Sequence, residues 1–309
     1  MDDINYIKVI NREVITNTIE YVSACERHYH AVLSQIVKEI LAKPGDTKII
    51  MLAGPSSSGK TTGANKLARL VSQSGFAANV ISLDDFYINR EDIPVGKDGK
   101  RDFEAVYALD IELIQNTLKN LIEKGETKLP YFDFVTGTRK DNVFDLKLNR
   151  GDVVIIEGLH AINPIFTMEL GQDCDSIYKI YVSVASDIYD DNGQILFDRT
   201  DIRLIRRMIR DNLFRGTPVP QTLDMWEKVI DGEIKYLQPL IPTADYVIDS
   251  LHPYELCIYR NIALKALKEI EEDNKYYSQA QTLIEKFNKV TMIDKDIIPK
   301  NSLLREFVG

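Results

Sequence analysis

Two hydropathy patterns alternate along the chain. Short, near-continuous apolar runs, "TKIIMLAG", "ANVISLDDFY", "GDVVIIEG", "SIYKIYVSV" and "ADYVIDS", have the length and branched composition of buried strands. Between them lie stretches with apolar residues at helical spacing, such as "ANKLARLVSQSG", closed by Gly75, and "ALDIELIQNTLKNLIEKG", closed by Gly125. Strands separated by helices predict an α/β fold, a parallel sheet covered by helices on both faces. Residues 13–42 also carry helical spacing and stop at "KPGD", and the chain beyond about 251 is helical and charged before turning irregular at "IDKDIIPKNSLLREFVG". The expected organisation is a core over 46–250, with helical extensions over 1–45 and 251–309.

Composition narrows the picture. The 309 residues suffice for one large domain, and 44% apolar with 28% charged residues is ordinary for a globular chain. A net charge of −9 argues against broad attachment to nucleic acid or anionic lipid, so a bound anion needs local positive charge. Cys25, Cys174 and Cys257 are too scattered for a metal cluster or a disulfide framework. The acidic start "MDDINYIKVI" lacks the basic lead of a signal peptide, and no apolar run reaches membrane-spanning length. The expectation is a cytoplasmic protein without membrane or nucleic-acid partners; self-association is left open.

The strongest local signal is Gly54-Pro-Ser-Ser-Ser-Gly59-Lys60-Thr61, which fits G-x-x-x-x-G-K-[ST] between a strand and a helix. There the backbone of Gly54, Ser56, Ser57, Ser58 and Gly59 would turn its amides around a phosphate, with Thr62 continuing into the helix. Lys60 would reach the β- and γ-phosphates, and the Thr61 hydroxyl would ligate Mg²⁺. The expected ligands are ATP and Mg²⁺. Acids close two other strands: Asp84 and Asp85 after "VISL", and Glu157 after "VVII". Ligands of open α/β sheets gather at these carboxyl ends. Glu157 is the candidate metal acid and Asp84 the candidate general base, with Asp85 competing for that role. "DRTDIRLIRRMIRDNLFRG" packs six arginines into one helix and, over about 187–222, reads as a lid closing on phosphates, with Arg206 and Arg210 on the nucleotide. His28 and His30 fall on different helix faces, His160 could line the site or serve the structure, and Trp226 reads as core.

Taken in order, GPSSSGKTT, SLDDFY, YFDFVTGTRK, VVIIEGLHAINP and DIRLIRRMIRDNLFRG resemble the uridine kinase branch of the phosphoribulokinase/uridine kinase family, over about 47–250. The ending and the helical N-terminus are similar to a bacterial subgroup related to threonyl-tRNA-synthetase-like uridine kinases. The resemblance implies a P-loop kinase that moves the γ-phosphoryl of ATP to the 5′-hydroxyl of a nucleoside, with Lys60 and Asp84 catalytic and Thr61 and Glu157 on Mg²⁺. It also places Glu104, Arg203 and Gln221 near the ribose or its lid, and Phe132, Phe134 and Gly137 around the base, with Arg139 on the acceptor side. The family's usual Tyr-Asp-Phe-x-x-His is Phe132-Asp133-Phe134-Val135-Thr136-Gly137 here, and its "FDHPDA" is "FEAVYA". Both polar readers of a pyrimidine edge are replaced, which leaves the base open. A sugar phosphate or pantothenate-like acceptor, or a nucleotide-dependent regulatory role, are the alternatives.

Overall fold

Every one of the five apolar runs becomes a strand of a single parallel sheet. A computed structural model describes residues 5–43, 48–95, 99, 101–170 and 176–309. Cys174 and most of the expected "KPGD" helix stop lie outside the described residues. Two helices open the chain, α1 (Ile7–Thr16) and α2 (Thr18–Ala42). The one helix expected over 13–42 is thus broken, because Asn17 leaves helical geometry (φ −140°, ψ 39°) while its N–H still bonds Glu13.

Next come β1 (Lys48–Ala53), α3 (Lys60–Gln73), β2 (Ala78–Ser82), α4 (Ile111–Lys124), β3 (Glu126–Asp133), β4 (Thr138–Lys147), β5 (Val153–Glu157) and β6 (Ile177–Ser183). The rest comprises β7 (Ile188–Tyr189), β8 (Ile195–Phe197), α5 (Arg199–Arg215), α6 (Val219–Gly232), β9 (Tyr246–Asp249), α7 (Glu255–Leu267), α8 (Tyr277–Asn288) and α9 (Arg305–Val308). The sheet order is β2-β5-β1-β6-β9, while β3 and β4 form a separate antiparallel hairpin. Glu157 is level with Leu52 of β1 on one side and Ser82 of β2 on the other. That register brings the loops after β1, β2 and β5 to one edge.

Alternation along the strands feeds two apolar layers. Ile50, Leu52, Ile155, Ile180 and Val182 face one way, and Ile49, Met51, Val154 and Ile156 the other. Ile114, Leu118 and Leu121 of α4 cover the second face. The first face is covered by residues from both ends of the chain: Ile10, Leu33, Leu303 and Phe307 share its apolar cluster. The two extensions are therefore built into this face of the sheet. Helix α5, expected as a lid, is anchored there too. Its Ile202, Leu204, Ile205, Met208 and Ile209 are all buried, each worth ~1.5–3 kcal/mol relative to exposure. A free flap does not carry that much buried surface. Among the described residues no helix is long and apolar enough to cross a membrane.

Candidate active site

The phosphate loop joins β1 to α3 under tight backbone constraint. A Cβ at Gly54 would lie 2.1 Å from the Val182 carbonyl oxygen, so only glycine lets the loop pass β6. Ser57 and Gly59 take left-handed geometry (φ 60° and 85°), which turns successive amides inward. The first backbone bond of α3 runs from Gly63 N–H to Gly59 O. The amides of Lys60, Thr61 and Thr62 have no backbone acceptor among the described residues. The hydroxyls of Ser57 and Ser58 are buried without a protein partner. Buried donors left unpaired cost about 1–3 kcal/mol each unless a ligand takes them, so the loop fits a phosphate group.

At the neighbouring strand end, the Thr61 hydroxyl donates to Glu157 Oε1 at 3.0 Å. Burial pushes the Glu157 pKa up, against the pull of the Lys60 ammonium. A hydroxyl and a carboxylate side by side suit a hard cation such as Mg²⁺. Among the described residues no group of three or more His, Cys, Asp or Glu is arranged to hold a metal ion, so phosphate oxygens and water would complete such a shell. A Mg²⁺ held by the Thr61 hydroxyl and Glu157 would supply positive charge against the nucleotide's phosphates.

The two acids after β2 have different surroundings. Asp85 Oδ1 accepts the Phe132 N–H at 3.2 Å, which ties it to the hairpin. Among the described residues no hydrogen bond holds the Asp84 carboxylate, which feels the Lys60 ammonium. Asp84 is open to water, but the concave cleft around it strips much of its solvation and pushes its pKa up; Lys60 lowers it and Asp85 raises it. Glu104 is half-buried nearby. Desolvation raises its pKa, while Arg207 and Lys60 draw it down. Behind it, His160 Nε2 lies 2.8 Å from the Glu104 carbonyl oxygen. Burial lowers the His160 pKa, so the neutral ring donates Nε2–H and braces the Glu104 loop.

The arginines of α5 do not form one phosphate-facing row. Arg206 is fully buried, and all five of its N–H groups are used, on Glu255 Oε1 and Oε2, Ser250 O and Oγ, and the Ser57 carbonyl. No donor remains for a phosphate, contrary to the expectation for Arg206. Its role is to hold the phosphate loop from behind. Arg203 is buried against Glu233 at 2.6 Å and the Trp226 ring, with its Nη1 left without a protein hydrogen-bond partner. Arg207, not singled out by sequence, reaches the loop by donating to Ser56 Oγ at 2.9 Å. Arg210 pairs with Glu306 at 3.3 Å. Gln221 lies exposed in the first turn of α6.

On the other wall, Tyr87, Phe132 and Phe134 form an aromatic cluster, with ring centroids 5.0 Å apart for Phe132 and Phe134 and 5.6 Å for Tyr87 and Phe132. Phe132 is 5% exposed and Phe134 56% exposed, so Phe134 is the open ring. Gly137 sits in the hairpin turn, where its carbonyl accepts the Arg90 N–H and Arg90 also donates to the Phe134 carbonyl. Arg139 is committed to Asp110 at 2.9 Å and Asp141 at 2.8 Å, on the side of the hairpin facing α4. Sequence reasoning passed over Tyr87, and also Tyr236, whose hydroxyl donates to Asp102 at 2.5 Å beside Glu104. Tyr87 was in view in "SLDDFY"; nothing local marks Tyr236.

A phosphate loop after β1, with acids closing the adjacent β5 and, one strand further out, β2, defines a P-loop kinase-type α/β fold. The Phosphoribulokinase / Uridine kinase family matches residues 49–256, and the chain belongs to that family. It is accordingly a phosphotransferase of the P-loop kinase class. Similar proteins include a uridine kinase of Clostridium botulinum (strain Okra / Type B1), 27% identical over 65% of this chain and 86% of its own. Another, from Clostridium novyi (strain NT), is 27% identical over 74% of this chain and 98% of its own. The solved structure of a possible uridine kinase from Bacillus stearothermophilus is similar at 22% identity and TM-score 0.47, covering 71% of this chain and 98% of that one.

Proposed function

We propose that the protein transfers the γ-phosphoryl group of ATP to the 5′-hydroxyl of a nucleoside. The observation that carries the reading is the contrast between Asp84 and Asp85. Asp85 is spent on the hairpin backbone, whereas Asp84 keeps an unbonded carboxylate beside Lys60. Asp84 would orient the acceptor hydroxyl and take its proton as the bond to phosphorus forms. A raised pKa makes it a stronger base near neutral pH than an ordinary aspartate. Lys60 and Arg207 would hold the transferring charge, and Thr61 and Glu157 would hold Mg²⁺.

The acceptor side favours a neutral polyol over an anion. Asp84, Asp102 and Glu104 are all acidic, while Arg90 is engaged with Phe134 O, Arg139 with Asp110 and Asp141, and Lys235 with Asp102 at 3.6 Å. A sugar phosphate or a carboxylic acid would meet like charge there. The carboxylate of Glu104 suits a pair of adjacent ribose hydroxyls, and Phe134 offers a stacking face that accepts any base. The test is an ATP-consumption screen over purine and pyrimidine nucleosides, with and without the 2′-hydroxyl, beside a sugar phosphate and a pantothenate-like acid. Product is expected with ribonucleosides and much less with 2′-deoxy forms. Turnover of an anionic alcohol alone would overturn the reading.

A further inference from the structure

The last residues of the chain reach the phosphate loop from a direction that the kinase reading does not use. Ser302 donates to Glu26 of α2, and Leu303, Leu304, Phe307 and Val308 are all buried. The Leu303 side chain lies where a Cβ on Gly59 would be, at 2.5 Å, so the segment is seated directly on the loop. Phe307 lies under the Arg206 guanidinium at 5.1 Å. From this base, Glu306 takes two donors at the nucleotide end of the cleft. Its Oε2 accepts the Thr62 hydroxyl at 2.6 Å and its Oε1 accepts Arg210 at 3.3 Å. Thr62 is the residue whose free amide completes the N-terminal nest of α3. A hydroxyl beside that amide and a guanidinium are the groups that an anionic phosphate oxygen recruits.

We propose that Glu306 is an internal anion competing with the donor nucleotide, so that the C-terminal segment sets nucleotide affinity. A carboxylate at this point repels a phosphate and withholds Arg210 and Thr62 from it. Nucleotide binding then requires the Glu306 side chain to exchange partners, a rotamer change that leaves the buried Leu303, Leu304 and Phe307 in place. The inference rests on the phosphate loop being the donor site, and not on the identity of the acceptor.

The test is direct titration of the full chain with ADP and with a non-hydrolysable ATP analogue, without acceptor. Glu306→Gln keeps the shape and removes the charge, and its nucleotide Kd should fall about threefold to tenfold, the scale of one partly solvated charge. Glu306→Asp keeps the charge and should stay nearer the parent than Glu306→Gln does. Thermal unfolding identifies any variant that fails to fold, in which case the Asp variant carries the comparison through the salt dependence of nucleotide Kd, expected unchanged. Unchanged or weaker binding by a folded Glu306→Gln would overturn the proposal, as would a parent chain that binds no nucleotide. Nucleotide binding with the expected order, but no nucleoside turnover, would sustain it while removing the nucleoside kinase reading.

Discussion

On the donor side of the cleft, Ser56 to Thr62 are held by backbone geometry, by a glycine pressed against β6, and by a buried guanidinium with every N–H engaged. On the proposed acceptor side, a two-stranded hairpin stands outside the main sheet, most of β4 is exposed, and the candidate groups are side chains: Phe134, Tyr87, Glu104 and Asp84. The first wall recognises a group common to all nucleotides and is built from groups that every residue possesses. In the proposed reaction the second would recognise one acceptor among many, and so would depend on which side chains stand there. Side chains on the second wall can change while the backbone cradle stays put, so the identities of Phe132 and Gly137 leave the phosphate loop undisturbed.

Asp84→Asn should break the acceptor wall most sharply. Turnover should drop about 10²–10⁴-fold, the usual range for a lost general base, while nucleotide Kd shifts less than about threefold; steady-state kinetics beside nucleotide titration would check this. Breaking the donor wall takes a different substitution. Glu255→Ala strands the fully buried Arg206 charge and should destabilise the fold by about 3–5 kcal/mol, read as a lowered denaturant midpoint with nucleotide affinity falling alongside.

Phe134→Ala is expected to raise the acceptor KM by ~1–3 kcal/mol of lost stacking while the ATP KM holds. Equal loss on both substrates would mean that the hairpin serves the fold and not the pocket. Arg139→Ala should do least. Its pairs with Asp110 and Asp141 are partly solvated, so about 0.2–1 kcal/mol of stability is at stake, with acceptor KM nearly unchanged.

The acid side of the pH profile sharpens the same contrast. Desolvation raises the Asp84 pKa above its ordinary 3.8, and the base must be ionised to act. The acid limb of kcat/KM should therefore sit higher than an ordinary aspartate would place it and vanish in Asp84→Asn. For stability the sign is reversed. A carboxyl whose folded pKa is raised favours the fold below its unfolded pKa, and that contribution is lost as pH rises through the folded value. Asp84→Asn should accordingly raise the unfolding temperature at neutral pH while lowering activity.

Much of this was legible in order and spacing. The apolar runs name the five strands most plainly at β1, β5 and β6, which are buried on both faces and need no partner-specific signal, while the edge strands β2 and β9 are partly exposed. The glycines, Lys60 and Thr61 read as a phosphate loop because backbone approach and helix start are local requirements. Acids at strand ends marked Asp84 and Glu157, since the carboxyl edge of a parallel sheet is where its ligands bind.

What the sequence could not contain is which distant group each charge meets. Helical spacing showed that the α5 arginines lie apart from Leu204, Ile205 and Ile209, and solvent or phosphate was the natural inference. Only the packed fold brings Glu255 to Arg206, Glu233 to Arg203 and Glu306 to Arg210, from 49, 30 and 96 residues away. The same holds for Asp84 against Asp85. They are neighbours in sequence and equal in type, and a single hydrogen bond from Phe132, 47 residues on from Asp85, separates them. Hydropathy period and backbone chemistry are properties of a segment and were determined by the sequence alone. The partner of a buried charge is a property of two segments, and it was decided only when the sheet closed and both ends of the chain packed against it.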